Sequence, residues 1–256
     1  MTSIKPSALL KGEGLPDYSE ITPNEITENI PRLIEDLNKK LNNLEEQLDQ
    51  KLLTKNSLSW EDVMPQLYEI GEKLRWSWGV VSHLNAVCNS SQLREVHSNQ
   101  QPKIVRFSNQ LAQNEIIFKA LSNLKEHGNL KDETQIRIIE TELITMKNKG
   151  IGLGVDEKTL FNSRSERLAE LSTTFSNNVL DATKNWSLLL KNHSEVEGLP
   201  ERALETLALA AKEAGDKDKE GNEPTALTGP WRVGLDLPRY IPFQTYAKNR
   251  LVREKV

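Results

Sequence analysis

The 256-residue chain carries 33 Lys and Arg against 37 Asp and Glu, a net charge of -4, with 37% hydrophobic and 27% charged residues. A pI near 5.7 and a mean hydropathy of -0.56 describe a solvated protein long enough for one large domain or two ordinary ones, and its basic residues form no aromatic-interleaved patch of the kind nucleic acid requires. No apolar run is long enough to cross a bilayer, "MTSIKPSALLKGEGLP" has no apolar signal core, and a single cysteine, Cys88, excludes an internal disulfide framework, so a cytoplasmic protein with neither nucleic-acid nor membrane partner is expected.

The first helix signal is complete: Thr22 as N-cap, Pro23 at the first helical position and Glu25 three residues on as in a capping box. Ile30, Leu37 and Leu44 then alternate with Ile34, Leu41 and Leu48 in a 4-3 spacing over almost three heptads, a stripe that wants a partner helix. Pro31 kinks this stretch or delays its start. A second helix begins at Ser59, with Asp62 three residues on, and sets Val63, Leu67, Ile70, Leu74, Trp78, Val81 and Leu84 on one face, leaving Trp76 for a second contact surface. After a break at "NQQPK", a third helix holds Ile104, Phe107, Leu111, Ile117, Phe118 and Leu121 and ends near Gly128. A fourth, from about Asp132, holds Ile136, Ile139, Leu143 and Met146 and stops at "KGIGLG".

From Asp156 to about Asn192 the pattern Leu160, Leu168, Leu171, Phe175, Ala182, Trp186, Leu189 predicts the longest helix. Pro200 opens another, Gly215 closes it, and the charged stretch 215–222 is a solvated loop. Trp231, Val233, Leu235 and Leu237 then alternate with polar residues or glycine, which predicts a strand over 231–237. No other segment offers it a convincing partner. Pro242 starts a last helix carrying Tyr246, Leu251 and Val252, with no Gly or Asn after it to stop it. The orphan strand and the unstopped helix together suggest that the end at Val256 is a cut.

Chemistry is sparse. His83, His97, His127 and His193 form no H-x-x-x-H pair and read as surface or core histidines. Cys88 has no second cysteine and reads as a small buried hydrophobe, the alternative being a nucleophile beside a histidine. The glycines of "KGEG" and "KGIGLG" do not follow a strand and open a helix as a phosphate cradle would. Glu45 and Glu46, like Glu140 and Glu142, read as solvated helix positions. In "FSNNVLDATKNW", Asn177 and Asn178 sit mid-helix with Asp181 one turn on, bonded to neighbouring groups or lining a polar cavity.

That stretch resembles one found in the thimet oligopeptidase and oligopeptidase A family of zinc metallopeptidases. So does "WRVGLDLPRYIPFQTYAKNRLVREK", with its Trp, L-x-x-P, Tyr-x-Pro and Y-A-x-N-R-x-x-R-E pattern, as do "LLKGEGLPDYSEITPNEI" and "GLPERALETLALAAKEAG". The chain departs from the family at Arg239, where Ser is usual, at Gln244, where Met is common, and in a longer 215–230. The resemblance implies a two-lobed enzyme with a deep channel that admits short unfolded peptides. The family's zinc, held by H-E-x-x-H and a downstream Glu, lowers the pKa of its bound water and polarises the peptide carbonyl. None of those residues falls within this sequence, so no catalytic, cofactor-binding or metal residue is assigned.

The expected fold is mainly α, a multi-helix elongated array of long antiparallel helices with one short strand near 231–237. Residues 1–230 form the helical wall of the channel and 231–256 begin the catalytic lobe. The expected partners are short peptides and the remainder of the catalytic domain, and the chain alone is inactive. A stand-alone helical scaffold that binds a partner through the 30–48 stripe is the alternative, and an enzyme built on Cys88 and a histidine is a second.

Overall fold

The computed structural model describes residues 7–54, 57–128, 130 and 132–256. The chain separates into two compact units, Met1–Thr173 and Thr174–Val256.

The first unit is built around α1 (Pro23–Thr54), where Thr22 Oγ1 accepts from the Glu25 N–H at 3.3 Å. The Glu25 carboxylate accepts from the Ser7 hydroxyl. Pro31 lies inside α1 without ending it. The buried stripe is Ile26, Ile30, Leu33, Leu37, Leu41, Leu44 and Leu48, each at most 1% exposed. Leu33 fills the position expected of Ile34, which is half-buried, because a 4-3-4-4-3-4 spacing tracks an untwisted helix face better than strict heptads. Each such residue contributes roughly 1.5–3 kcal/mol through burial. The stripe packs on α3, α2 and α4 of this same chain.

Helix α2 (Trp60–Val87) starts at Ser59, whose N–H donates to the Asp62 carboxylate at 2.9 Å. Asp62 also receives Lys51 Nζ at 2.8 Å, which pins the last turn of α1 to the first turn of α2. The expected third helix is two: α3 (Ser91–Ala112) and α4 (Glu115–His127). The expected break at Pro102 lies inside α3, because Ser90 accepts from the Leu93 N–H at 3.2 Å and starts the helix a full three turns earlier. The true break is at Asn114, whose side chain caps α4 at the Ile117 N–H, 3.0 Å. Helix α5 (Glu133–Asn148) is capped by Asp132 at the Gln135 N–H, 2.9 Å. It ends where Gly150 N bonds Lys147 O at 3.0 Å and Ile151 N bonds Met146 O at 3.1 Å. Helix α6 (Val155–Asn185) follows and runs on into the second unit.

In the second unit the strand has a partner after all. Strand β1 (Ser187–Leu190) pairs antiparallel with β2 (Trp231–Gly234), Leu188 opposite Val233 and Leu190 opposite Trp231. The predicted long helix therefore stops at Asn185, seven residues before Asn192. A run of three leucines fits either helix or strand in sequence, and the pairing edge of β2 decides it by supplying backbone partners.

Helices α7 (His193–Val196) and α8 (Glu201–Glu213) follow β1. Strand β2 ends at Gly234, earlier than predicted, because Asp236 turns the chain by accepting from the Arg239 N–H at 3.3 Å and so starts α9 (Leu237–Tyr246). Pro242 is thus inside α9 rather than at its start, and Pro238 takes the tolerant first-turn place. Asn249 then caps α10 (Arg250–Lys255) at the Val252 N–H, 3.3 Å, so the predicted last helix is also two. Leu190, Val196, Leu207, Ala208, Trp231, Val233, Phe243 and Val252 form the core of this unit. The mainly α class stands, with a two-stranded sheet in place of a single strand.

Candidate functional site

The histidines stay apart. His97 is buried against Trp78, ring centroids 4.6 Å apart, and desolvation holds its pKa below the usual value, so it is a neutral core imidazole. His83 lies 5.5 Å from the Tyr18 ring and His193 meets Trp231 edge-on at 5.9 Å. His127 is exposed beside Glu126. Cys88 is exposed, contrary to expectation, because it falls one residue past the end of α2 as its C-cap and leaves the apolar face. Asn177 is half-buried and Asn178 exposed on α6. Among the described residues no group of three or more His, Cys, Asp or Glu side chains is placed to hold a metal ion, so the residues present do not fit a zinc site.

Two other features carry more. In the first unit a cleft of about 350 Å³ opens between α2, α3, α4 and α5, lined by Met64, Leu67, Leu111, Leu121 and Met146 around Gly71. A Cβ on Gly71 would meet nothing within 4 Å, so the glycine sits in open space. Glu142 reaches this cleft from α5 and Tyr68 from α2. Glu140 pairs with Lys125 at 2.9 Å, as a solvated carboxylate does. Glu142 does not belong on that face. It is half-buried, and burial raises its pKa; Tyr68 is raised by burial first and by the Glu142 charge second. The signal available in the sequence was positional: Glu142 adjoins Leu143 and lies one turn before Met146, and Gly71 sits mid-helix with no turn to make.

The second feature is α6. Its polar side is tied to α3 by the Arg106–Glu166 pair, with two bonds of 2.9 and 2.8 Å, by the Gln113–Asn162 amide pair at 2.8 Å, and by Gln101 to Thr173 at 2.9 Å. Asn162, Glu166 and Thr173 share one face at 100° per residue. Within the first unit the opposite face carries Leu160, Leu168 and Leu171, which are 49, 66 and 47% exposed. No residue of α6 is buried. An amphipathic helix that binds its neighbour through its polar side and turns its apolar side outward is the reverse of the usual arrangement.

Fold and surface together define an α-helical domain built on one leucine-striped helix, with an open apolar cleft and an uncovered helix face. The profile of the neurolysin/thimet oligopeptidase N-terminal domain matches residues 30–158, which is half of the chain, and the protein belongs to that family. It is 34% identical to oligopeptidase A of Haemophilus influenzae over 97% of this chain and 34% of that protein. It is 32% identical to a probable cytosolic oligopeptidase A of Arabidopsis thaliana over 99% of this chain and 35% of that protein, and 31% identical to oligopeptidase A of Escherichia coli over 94% and 33%. The chain thus spans about a third of the length of these relatives. No helix among the described residues is long and apolar enough to cross a membrane.

Proposed function

We propose that this chain is the N-terminal part of a zinc-dependent oligopeptidase that hydrolyses short unfolded peptides in a deep channel. Residues 1–230 supply one helical wall of that channel and 231–256 the first elements of the catalytic lobe. The zinc and the residues that hold it belong to the two thirds of the relatives' length that this chain does not span, and the chain by itself is inactive. The protein works in the cytoplasm.

The observation that carries the reading is the outward apolar face of α6 in a chain that matches a third of its relatives' length. A helix with three leucines exposed on one side within the first unit is stabilised when more polypeptide covers it. The scaffold alternative loses its support, because the 30–48 stripe on which it rested is buried by the chain's own helices. In a test, the purified chain is incubated with zinc and a quenched fluorescent peptide, alone and with a separately produced polypeptide matching the C-terminal two thirds of its oligopeptidase A relatives. Cleavage that needs both pieces and stops with a chelator is expected. Chelator-sensitive cleavage by the chain alone, or none from the mixture although the two pieces associate, overturns the reading.

A further inference from the structure

The cleft between α2 and α5 contains one group out of keeping with its walls. Glu142 is half-buried among methionines and leucines, and among the described residues no hydrogen bond or ion pair engages its carboxylate. Two cations line the same cleft without pairing with Glu142. Arg75 is paired with Glu72 on its own helix, and Lys149 stands seven residues along from Glu142, roughly 10 Å by helical rise. A half-buried carboxylate without a partner is partly desolvated, a cost that a bound cation would recover.

The cleft's size is that of a small-ligand site: about 350 Å³, with apolar walls and a few polar groups, here Glu142, the Tyr68 hydroxyl, Ser108 and Thr145, together with the paired Glu72 and Arg75 and with Lys149. The absence of a side chain at Gly71 keeps it open. A neutral apolar occupant would bury the carboxylate further without pairing it, and an anion beside Glu142 would leave it unpaired as well. We propose that this cleft binds a small primary ammonium ion carried on a short apolar body, with Glu142 accepting the N–H donors and the methionine and leucine walls covering the hydrocarbon. Tyr68, whose hydroxyl lies close enough to feel the Glu142 charge, borders the same end. The site stands or falls independently of the peptidase reading, because it lies wholly within the first unit.

The test titrates the 256-residue chain with n-hexylammonium and, separately, with n-hexanol at neutral pH, following backbone amide shifts. Hexylammonium is expected to move the amides of Tyr68, Gly71 and Thr145 and to bind at least about tenfold more tightly than hexanol, the worth of one charge-assisted hydrogen bond. Glu142→Gln should remove that tenfold advantage and leave hexanol binding unchanged, while Gly71→Leu, which fills the cleft, should abolish both. Equal affinity for the two probes on the parent chain overturns the proposal, as do undiminished hexylammonium binding by E142Q and shifts centred elsewhere. Should E142Q fail to fold, the comparison of the two probes on the parent chain decides.

Discussion

Gly198 separates two energetic terms that are usually entangled. It lies in the turn between α7 and α8 at φ 95°, and a Cβ built there would come 2.5 Å from the carbonyl oxygen of Tyr246, 2.9 Å from Lys248 Cγ and 3.4 Å from the Lys248 nitrogen. The turn is held on that segment by a bond of 2.8 Å from the Lys248 N–H to the Glu197 carbonyl. Gly198→Ala therefore incurs the left-handed backbone cost of an L-residue, roughly 1–2 kcal/mol, and must also push a backbone carbonyl aside, with loss of a hydrogen bond worth about 0.5–1.5 kcal/mol. The expected total is about 1.5–3.5 kcal/mol. Gly215, at φ 79°, has nothing within 4 Å of its built Cβ, so Gly215→Ala should show the backbone term alone, about 1–2 kcal/mol. Urea unfolding of both variants, monitored by circular dichroism, measures the difference, and a shift of several degrees in melting temperature should accompany it. If the two variants are destabilised equally, within about 0.5 kcal/mol, the close approach of the two turns does not hold and the reasoning fails.

Leu41→Ala, at a fully buried position in the centre of the α1 stripe, should lower stability by about 2–5 kcal/mol in urea unfolding, whereas Leu168→Ser and Leu171→Ser on the outward face of α6 should each change it by less than about 0.5 kcal/mol. Asp216 holds Arg232 through two bonds of 2.7 and 2.8 Å, with the two side chains 15 and 25% exposed, so Asp216→Ala should cost about 1–2 kcal/mol, less than a fully buried pair would, as read by the urea midpoint. Burial holds the folded pKa of His97 below the ordinary histidine value of about 6.5, so the unfolded chain takes up the proton first. Stability should be full above pH 6.5 and fall as pH drops below it, and His97→Leu should flatten that dependence in urea midpoints measured between neutral and mildly acidic pH. Glu142 has the opposite sign, its folded pKa lying above 4.5. The stability it contributes is present below pH 4.5 and lost as pH rises through the folded value, so Glu142→Gln should raise the melting temperature at pH 7.

Where local chemistry is self-contained, the sequence was readable. Thr22, Ser59 and Asp132 cap the helices they were expected to cap, because a cap needs only a side-chain oxygen within three residues of an unpaired N–H. The other caps, Ser90, Asn114, Asp236 and Asn249, use the same chemistry but stand among many polar residues that cap nothing, so in the sequence Pro102 and Pro242 are the stronger boundary signals although both lie inside helices. The cleft was not legible, since Glu142 differs from Glu140 only in lining, with Met64 of α2 and Leu121 of α4, a cleft that distant segments assemble.

The sequence by itself determined that this is a mainly helical protein with a leucine-striped first helix and a place in the oligopeptidase family, because periodicity, caps and motif residues act over short spans. Only the tertiary structure decided that three leucines after Asn185 form a strand rather than another helical turn, that the α1 stripe is covered by its own chain, and that α6 keeps its apolar side outward. Each of those depends on a partner distant in sequence: an edge of β2, the faces of α3 and α4, and the polar side chains of α3 that take hold of α6. A residue's own neighbours cannot carry that information, since backbone pairing and burial are settled by whichever surface arrives.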